Sequence, residues 1–202
     1  MMASSGYSAA ATKFSFWFSE YRKVLSLVRE GMGKDSIRQL SKDENIFSAT
    51  TPNRGAVIAS AVYARVNSMP EEINRFMDTG DLEIQRTIVI FSIMRTDRLF
   101  FEFMFEVFRD KMLVGDMVLR DSDFRTFFNE KRISSETVSE WTESSLNNLR
   151  KTYKSYLADA GITDRAIGDR LIVRPYLGPD FEDILIKAGM EPFLKALGRM
   201  SP

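Results

Sequence analysis

Residues 82–113 read LEIQRTIVIFSIMRTDRLFFEFMFEVFRDKML, and this stretch decides the fold. Two helices are written into it, Leu82 to Arg95 and Asp97 to Leu113. The second carries Leu99, Phe100, Phe101, Phe103, Met104, Phe105, Val107 and Phe108 almost all round its circumference, which places it at the centre of a bundle. It is also the most apolar part of the chain. A membrane-spanning helix needs about 20 mostly apolar residues in a row. Arg95, Asp97, Arg98, Glu102 and Glu106 interrupt the run, so it reads as the core of a soluble helical lobe.

Upstream the periodicity stays helical. Phe14, Trp17, Phe18, Tyr21, Leu25 and Val28 form one apolar face from Thr12 onward, stopped by Gly31 and Gly33. A short helix from Asp35 to Lys42 follows, then a corner at Asn45-Ile46-Phe47. Thr51-Pro52 reads as the N-cap and first position of a helix running to about Asn67. Ser68 and Glu71 have the spacing of a capping box for a further short helix ending at Gly80. The opening run Met1 to Ala11 has neither a basic nor an apolar region and does not read as a signal peptide.

Downstream, residues 114–120 lose the helical period and contain Gly115, so they read as a linker. The expected organisation is two small lobes: 1–113, a helical bundle with a helix-turn-helix-like segment, and 121–202. The second lobe has a helix from Asp121 to Lys131 and a stretch from Ser135 to Ala160 that breaks near 142–144. Ser134 reads as the cap of that stretch and Gly161 as its stop. Ile167 to Val173 reads as a β-hairpin turning at Gly168-Asp169, and two short helices, Pro179 to Ala188 and Met190 to Leu197, close the chain. The fold class is mainly α, with a second lobe resembling a winged helix-turn-helix.

Composition narrows the chemistry. The 202 residues include sixteen Phe, enough for a substantial core, but no Cys and no His. No imidazole base, thiolate nucleophile or structural zinc site can be built, and no nucleotide-binding glycine loop occurs. Carboxylates remain, but Glu136, Glu140 and Glu143 lie at the start of a helical stretch, where acids favour the helix dipole. The chain reads as a non-catalytic binding protein of a reducing compartment, cytoplasmic, with no cofactor and no metal. Lys plus Arg equals Asp plus Glu at 28 each, so contact with nucleic acid must come from a local patch.

Two such patches stand out. On the long helix of the second lobe, Leu146, Leu149, Tyr153, Tyr156 and Leu157 form the apolar stripe, while Asn147, Arg150, Lys151 and Lys154 share the other face. The hairpin region adds Arg165, Arg170 and Arg174, where a wing would lie along a DNA backbone. A polar helix face is commonly no more than solvated; the neighbouring hairpin is what raises the DNA reading. In the first lobe, Arg22 to Arg65 holds eight cations against four acids, and Lys34, Arg38 and Arg54 fall on or beside the short helix and the Pro52 helix, which follow in helix-turn-helix order. An adaptor docking on other proteins without touching DNA is the alternative reading.

The chain also shows an ordered set of markers. These are FSFWFSEYR within Ser8 to Arg22, Asn45-Ile46-Phe47, the Arg65 region and FFEFMFEVF, followed by Phe127-Phe128, Trp141, Leu157 to Gly161 and Arg174-Pro175-Tyr176-Leu177. In this order and spacing the chain resembles the BrxA family, small components of BREX bacteriophage-exclusion systems, from about residue 8 to 190. The resemblance implies a non-catalytic helical accessory subunit of antiviral defence. It would be encoded beside a DNA methyltransferase, an ATPase and a phosphatase-like protein, and would bind double-stranded DNA. No catalytic motif comes with it.

Overall fold

The computed structural model describes residues 6–199; positions 1–5 of the polar N-terminal run, and 200–202, lie outside the described residues. A 3-10 turn, Ala10–Lys13, precedes α1 (Phe18–Arg29), so the helix expected from Thr12 begins later. The reason is Trp17, which takes a left-handed conformation at φ 58° that cannot propagate a helix. That strain, about 1–2 kcal/mol, is offset by contacts to the indole: Phe14 at 5.4 Å, and the guanidinium groups of Arg54 at 5.4 Å and Arg65 at 5.2 Å.

Next come α2 (Lys34–Asp43) and α3 (Pro52–Ser68). The Thr51 cap forms as its position predicts, the hydroxyl accepting from the Arg54 amide at 3.2 Å. The two helices approach closely at Gly55, where a Cβ would stand 3.0 Å from the Ser41 carbonyl. The corner between them is held by Asn45, whose amide group brackets Ala49 with hydrogen bonds of 2.7 and 3.0 Å. The capping box expected of Ser68 and Glu71 does not form: Ser68 donates back to the Arg65 carbonyl at 2.7 Å, and Pro70 leads into α4 (Glu71–Asn74) and α5 (Phe76–Thr79).

The central pair follows. Asp81 caps α6 (Leu82–Thr96), whose residues Thr87 to Met94 are all buried. Asp97 caps α7 (Arg98–Phe103), which continues through a wider π turn at Met104–Phe108 into α8 (Arg109–Leu113). Leu99, Phe100, Phe103 and Met104 are fully buried, as the circumferential apolar pattern requires. Glu102 and Glu106 emerge together and share the Lys131 ammonium at 2.6 and 2.8 Å.

The remaining elements are β1 (Val118–Leu119), α9 (Asp121–Ser134), α10 (Glu136–Ser139), α11 (Glu143–Asp159), β2 (Arg170–Leu171), α12 (Pro179–Lys187) and α13 (Glu191–Ala196). The caps fall at Ser135 and Thr142 and not at Ser134, whose hydroxyl donates to the Glu130 carbonyl at 2.9 Å. The expected hairpin needs correction. β2 pairs antiparallel with β1, Leu171 opposite Val118 and Arg170 opposite Leu119, so the presumed linker supplies a strand. On its other side Ile172 bridges to Thr163, and the Asp164 and Val173 amides bond across the same gap. A loop at 165–169, wider than the turn expected at Gly168-Asp169, therefore joins two arms of a small antiparallel arrangement edged by β1.

One cluster of buried apolar side chains runs from Ala11 to Leu197. It crosses residues 114–120: Phe100 packs on Tyr153 at 4.8 Å and Tyr156 at 5.4 Å, and Phe103 stacks on Phe124 at 4.6 Å. Among the described residues no helix is long and apolar enough to cross a membrane.

Candidate nucleic-acid interface

Helix α11 turns its apolar stripe fully inward, Leu146, Leu149, Tyr153, Tyr156 and Leu157 being 0–1% exposed. Its outer face carries the four polar residues singled out from the sequence, but they differ in what they are free to do. Asn147 and Lys151 are exposed, and Lys151 has no ion-pair partner among the described residues. Arg150 lies back along the helix onto Glu143, with only 11% of its side chain exposed. Lys154 is paired with Asp121 at 2.8 Å and sits over the Phe124 ring at 5.2 Å. Both are largely neutralised, so their share of any phosphate contact is reduced.

Arg170 departs furthest from expectation. Its side chain is completely buried, with the guanidinium bonded to Asp121 at 2.7 Å, to the Ala166 carbonyl at 2.9 Å and to the Leu119 carbonyl at 3.3 Å. It also lies over Phe124 at 5.3 Å. Out of reach of solvent, Arg170 cannot meet a duplex. It fastens β2 and the loop to the start of α9. Burial pushes the Asp121 carboxyl up, but hydrogen bonds from Lys154 and Arg170 outweigh it and hold it below the usual carboxylate value. Sequence reasoning missed Asp121, which organises this corner from a position 49 residues before Arg170.

The loop and α11 do come together. Lys151, Lys154, Ala166, Ile167 and Gly168 line one shallow depression of about 190 Å³. Arg165 projects beside it, 62% exposed, tied only to its neighbour Asp164. Ile167 at the tip is 85% exposed. Arg174 is exposed and, among the described residues, unpaired.

The basic residues of the N-terminal half are spread differently. Lys34, at the start of α2, is exposed and has no ion-pair partner among the described residues. Arg38, one turn on, pairs with Asp35 at 3.3 Å, and Arg54 donates to the Lys13 carbonyl while lying over Trp17. The outward face of α3, the second helix of this helix-turn-helix-like pair, carries Asn53, Val57, Ser60, Ala61 and Ala64, none of them a cation.

A second feature lay beyond sequence reasoning. Asp97, besides capping α7, lines a cleft with buried Arg65 and Tyr156, and burial pushes its carboxyl up to about 6. The folded chain therefore binds this proton more tightly than the unfolded chain does. The resulting stabilisation is full below about pH 4 and is lost as pH rises to about 6, an effect of about 1–3 kcal/mol. Thermal melts across this window are expected to show that fall in the native chain and to lack it in Asp97→Asn, whose amide oxygen can still cap α7. Equal slopes for the two would contradict the assignment. Among the described residues no group of three or more carboxylates is placed to hold a metal ion.

Fold and site thus define a mainly helical protein on a continuous core, presenting a cationic helix face beside a small sheet-borne loop. The BrxA family model matches residues 5–189. A curated relative from Bacillus cereus (strain H3081.97), "BREX protein BrxA", is 37% identical over 180 residues, 89% of this chain and 90% of its own. The chain belongs to the BrxA family. Its fold is also that of a crystal structure of an uncharacterized protein from Magnetospirillum magneticum, with a TM-score of 0.79 at 18% identity, covering 95% of this chain and 97% of the other.

Proposed function

We propose that the chain is a non-catalytic, cytoplasmic DNA-binding component of a BREX-type bacteriophage defence system, gripping double-stranded DNA through its phosphates. The observation that carries this reading is the convergence of α11 and the 165–169 loop on one depression. Strand, helices, long helix and two returning strand segments follow in the order of a winged helix-turn-helix, with α11 as the helix that enters a groove. Asn147, Lys151, Arg165 and Arg174 are the accessible contacts; Arg150 and Lys154 stand behind them, and Arg170 supports the loop from beneath. The two halves, 1–113 and 121–202, act as one body because they share a core. Other subunits of the system, a methyltransferase, an ATPase and a phosphatase-like protein, are its protein partners.

A fluorescence-anisotropy titration of a labelled duplex tests the interface. Replacing Lys151, Arg165 and Arg174 together with Ala is expected to weaken binding roughly 100-fold and to lower the salt slope by about one for each contact removed. Lys34→Ala is expected to leave it unchanged. Binding that survives the triple variant and falls with Lys34→Ala would move the interface to α2. A second reading, an adaptor that docks protein without DNA, would use exposed apolar side chains such as Ile133, Val114 and Tyr176, at 88%, 79% and 70%. Native chain that leaves the duplex unbound at low salt would favour it.

A further inference from the structure

A well-formed cleft lies away from the α11 loop region. It has a volume of about 560 Å³, within the roughly 300–1,000 Å³ typical of small-molecule sites. The N-terminal strap from Gly6 to Phe14 forms one wall and the outward face of α3 another. Small side chains on α3, Ala56, Ser60, Ala61 and Ala64, leave the space open.

Its charged groups are arranged without mutual satisfaction. Arg65 is 3% exposed, and Asp97 lines the same cleft. Each feels the other's charge, yet no ion pair joins them among the described residues. Arg65 spends Nη1 on the Ser15 and Phe16 carbonyls and one Nη2 proton on Tyr156. Asp97 accepts from the Phe100 amide at 3.0 Å and from the Leu99 amide, and both of its oxygens have a long contact, 3.4 Å, from the Tyr153 hydroxyl. Donor capacity on Arg65 and acceptor capacity on Asp97 are left over side by side. On α2, Arg38 and Lys42 stand one turn apart on the cleft wall. Among the described residues Lys42 has no ion-pair partner, and Arg38 Nε is buried without an acceptor.

We propose that this cleft binds a nucleoside 5′-phosphate, its base edge bridging Arg65 and Asp97 and its phosphate held by Arg38 and Lys42. A purine edge places N–H donors next to a ring or carbonyl acceptor, the complement of a carboxylate with lone-pair capacity to spare near a guanidinium with an N–H to spare. Phe14 supplies an aromatic wall, and the two α2 cations supply the charge a phosphate needs. A bare anion would leave the Asp97 carboxylate facing it. An apolar ligand would leave the Arg65 and Asp97 groups without partners. The proposal does not depend on DNA binding at α11.

Isothermal titration of the full chain with GMP and AMP, with inorganic phosphate and guanosine as controls, tests it. At least one nucleotide is expected to bind at least tenfold more tightly than either control. Lys42→Ala is expected to weaken that binding about tenfold. Ala64→Trp, at an exposed wall position, is expected to abolish it while the melting temperature stays close to native. Lys151→Ala, on the separate α11 face, is expected to leave it unchanged. The proposal is overturned by no binding of either nucleotide, by inorganic phosphate binding as tightly, or by binding that follows Lys151 and ignores Lys42 and Ala64.

Discussion

Arg65→Ala is expected to cost about 3–5 kcal/mol of stability, the sum of several buried polar groups that lose their donor. In α3 this guanidinium joins three parts of the chain. It donates to the Ser15 and Phe16 carbonyls at 2.9 and 3.0 Å, fixing the strap, and to the Tyr156 hydroxyl at 3.2 Å, fixing α11. It also lies over the rings of Trp17 and Tyr156 at 5.2 and 5.6 Å. Alanine leaves two carbonyls short of a donor and Asp97 without its counter-charge, each an unsatisfied group costing about 1–3 kcal/mol. Lysine keeps the charge but loses the fork that reaches strap and α11 together, so Arg65→Lys should recover only part of the loss. Urea denaturation of the three forms decides the matter; a loss below about 1 kcal/mol for Arg65→Ala would show that Arg65 is not the clamp.

Phe103→Ala is expected to cost a similar 3–5 kcal/mol, for a different reason. Phe103 is fully buried where α7 meets α9 and α11, stacked on Phe124 at 4.6 Å, edge-on to Phe127 at 5.3 Å and 6.0 Å from Tyr153. Removing the ring opens a cavity in close-packed surroundings and forfeits aromatic pairings worth about 0.5–1.5 kcal/mol each. Because the partners lie beyond residue 120, the loss should lower the whole unfolding transition and leave it single. Two separated transitions, only one of them shifted, would show that the halves fold independently and that this packing does not couple them.

Much of this arrangement is legible in the residues. The all-round apolar run from Leu99 to Phe108 requires a central helix, and Thr51-Pro52 marks the start of α3 because both cap and proline act locally. The sheet is not legible. β1 has two residues, and its partner lies some 50 positions downstream, so no local periodicity announces the pairing. The same distance hides Arg170. From Arg170 to Val173 burial alternates, and Arg170 is turned inward while its apolar neighbour Leu171 is turned out, the reverse of what hydrophobicity suggests for that pair. Only the Asp121 carboxylate and two carbonyls, supplied by tertiary structure, make a buried arginine tolerable there. At the candidate interface the α11 face is legible as a pattern, but the ion pairs that withdraw Arg150 and Lys154 from it are not. Glu143 lies two turns before Arg150, and Asp121 belongs to another helix.

The most direct test of the central claim is the affinity of the native chain for a labelled duplex of unrelated sequence, measured by anisotropy across a salt series. Phosphate contacts from Lys151, Arg165 and Arg174 should give a log–log slope of about −3, with binding lost as salt rises. A duplex left unbound at the lowest salt, or bound with an affinity indifferent to salt, would contradict the account.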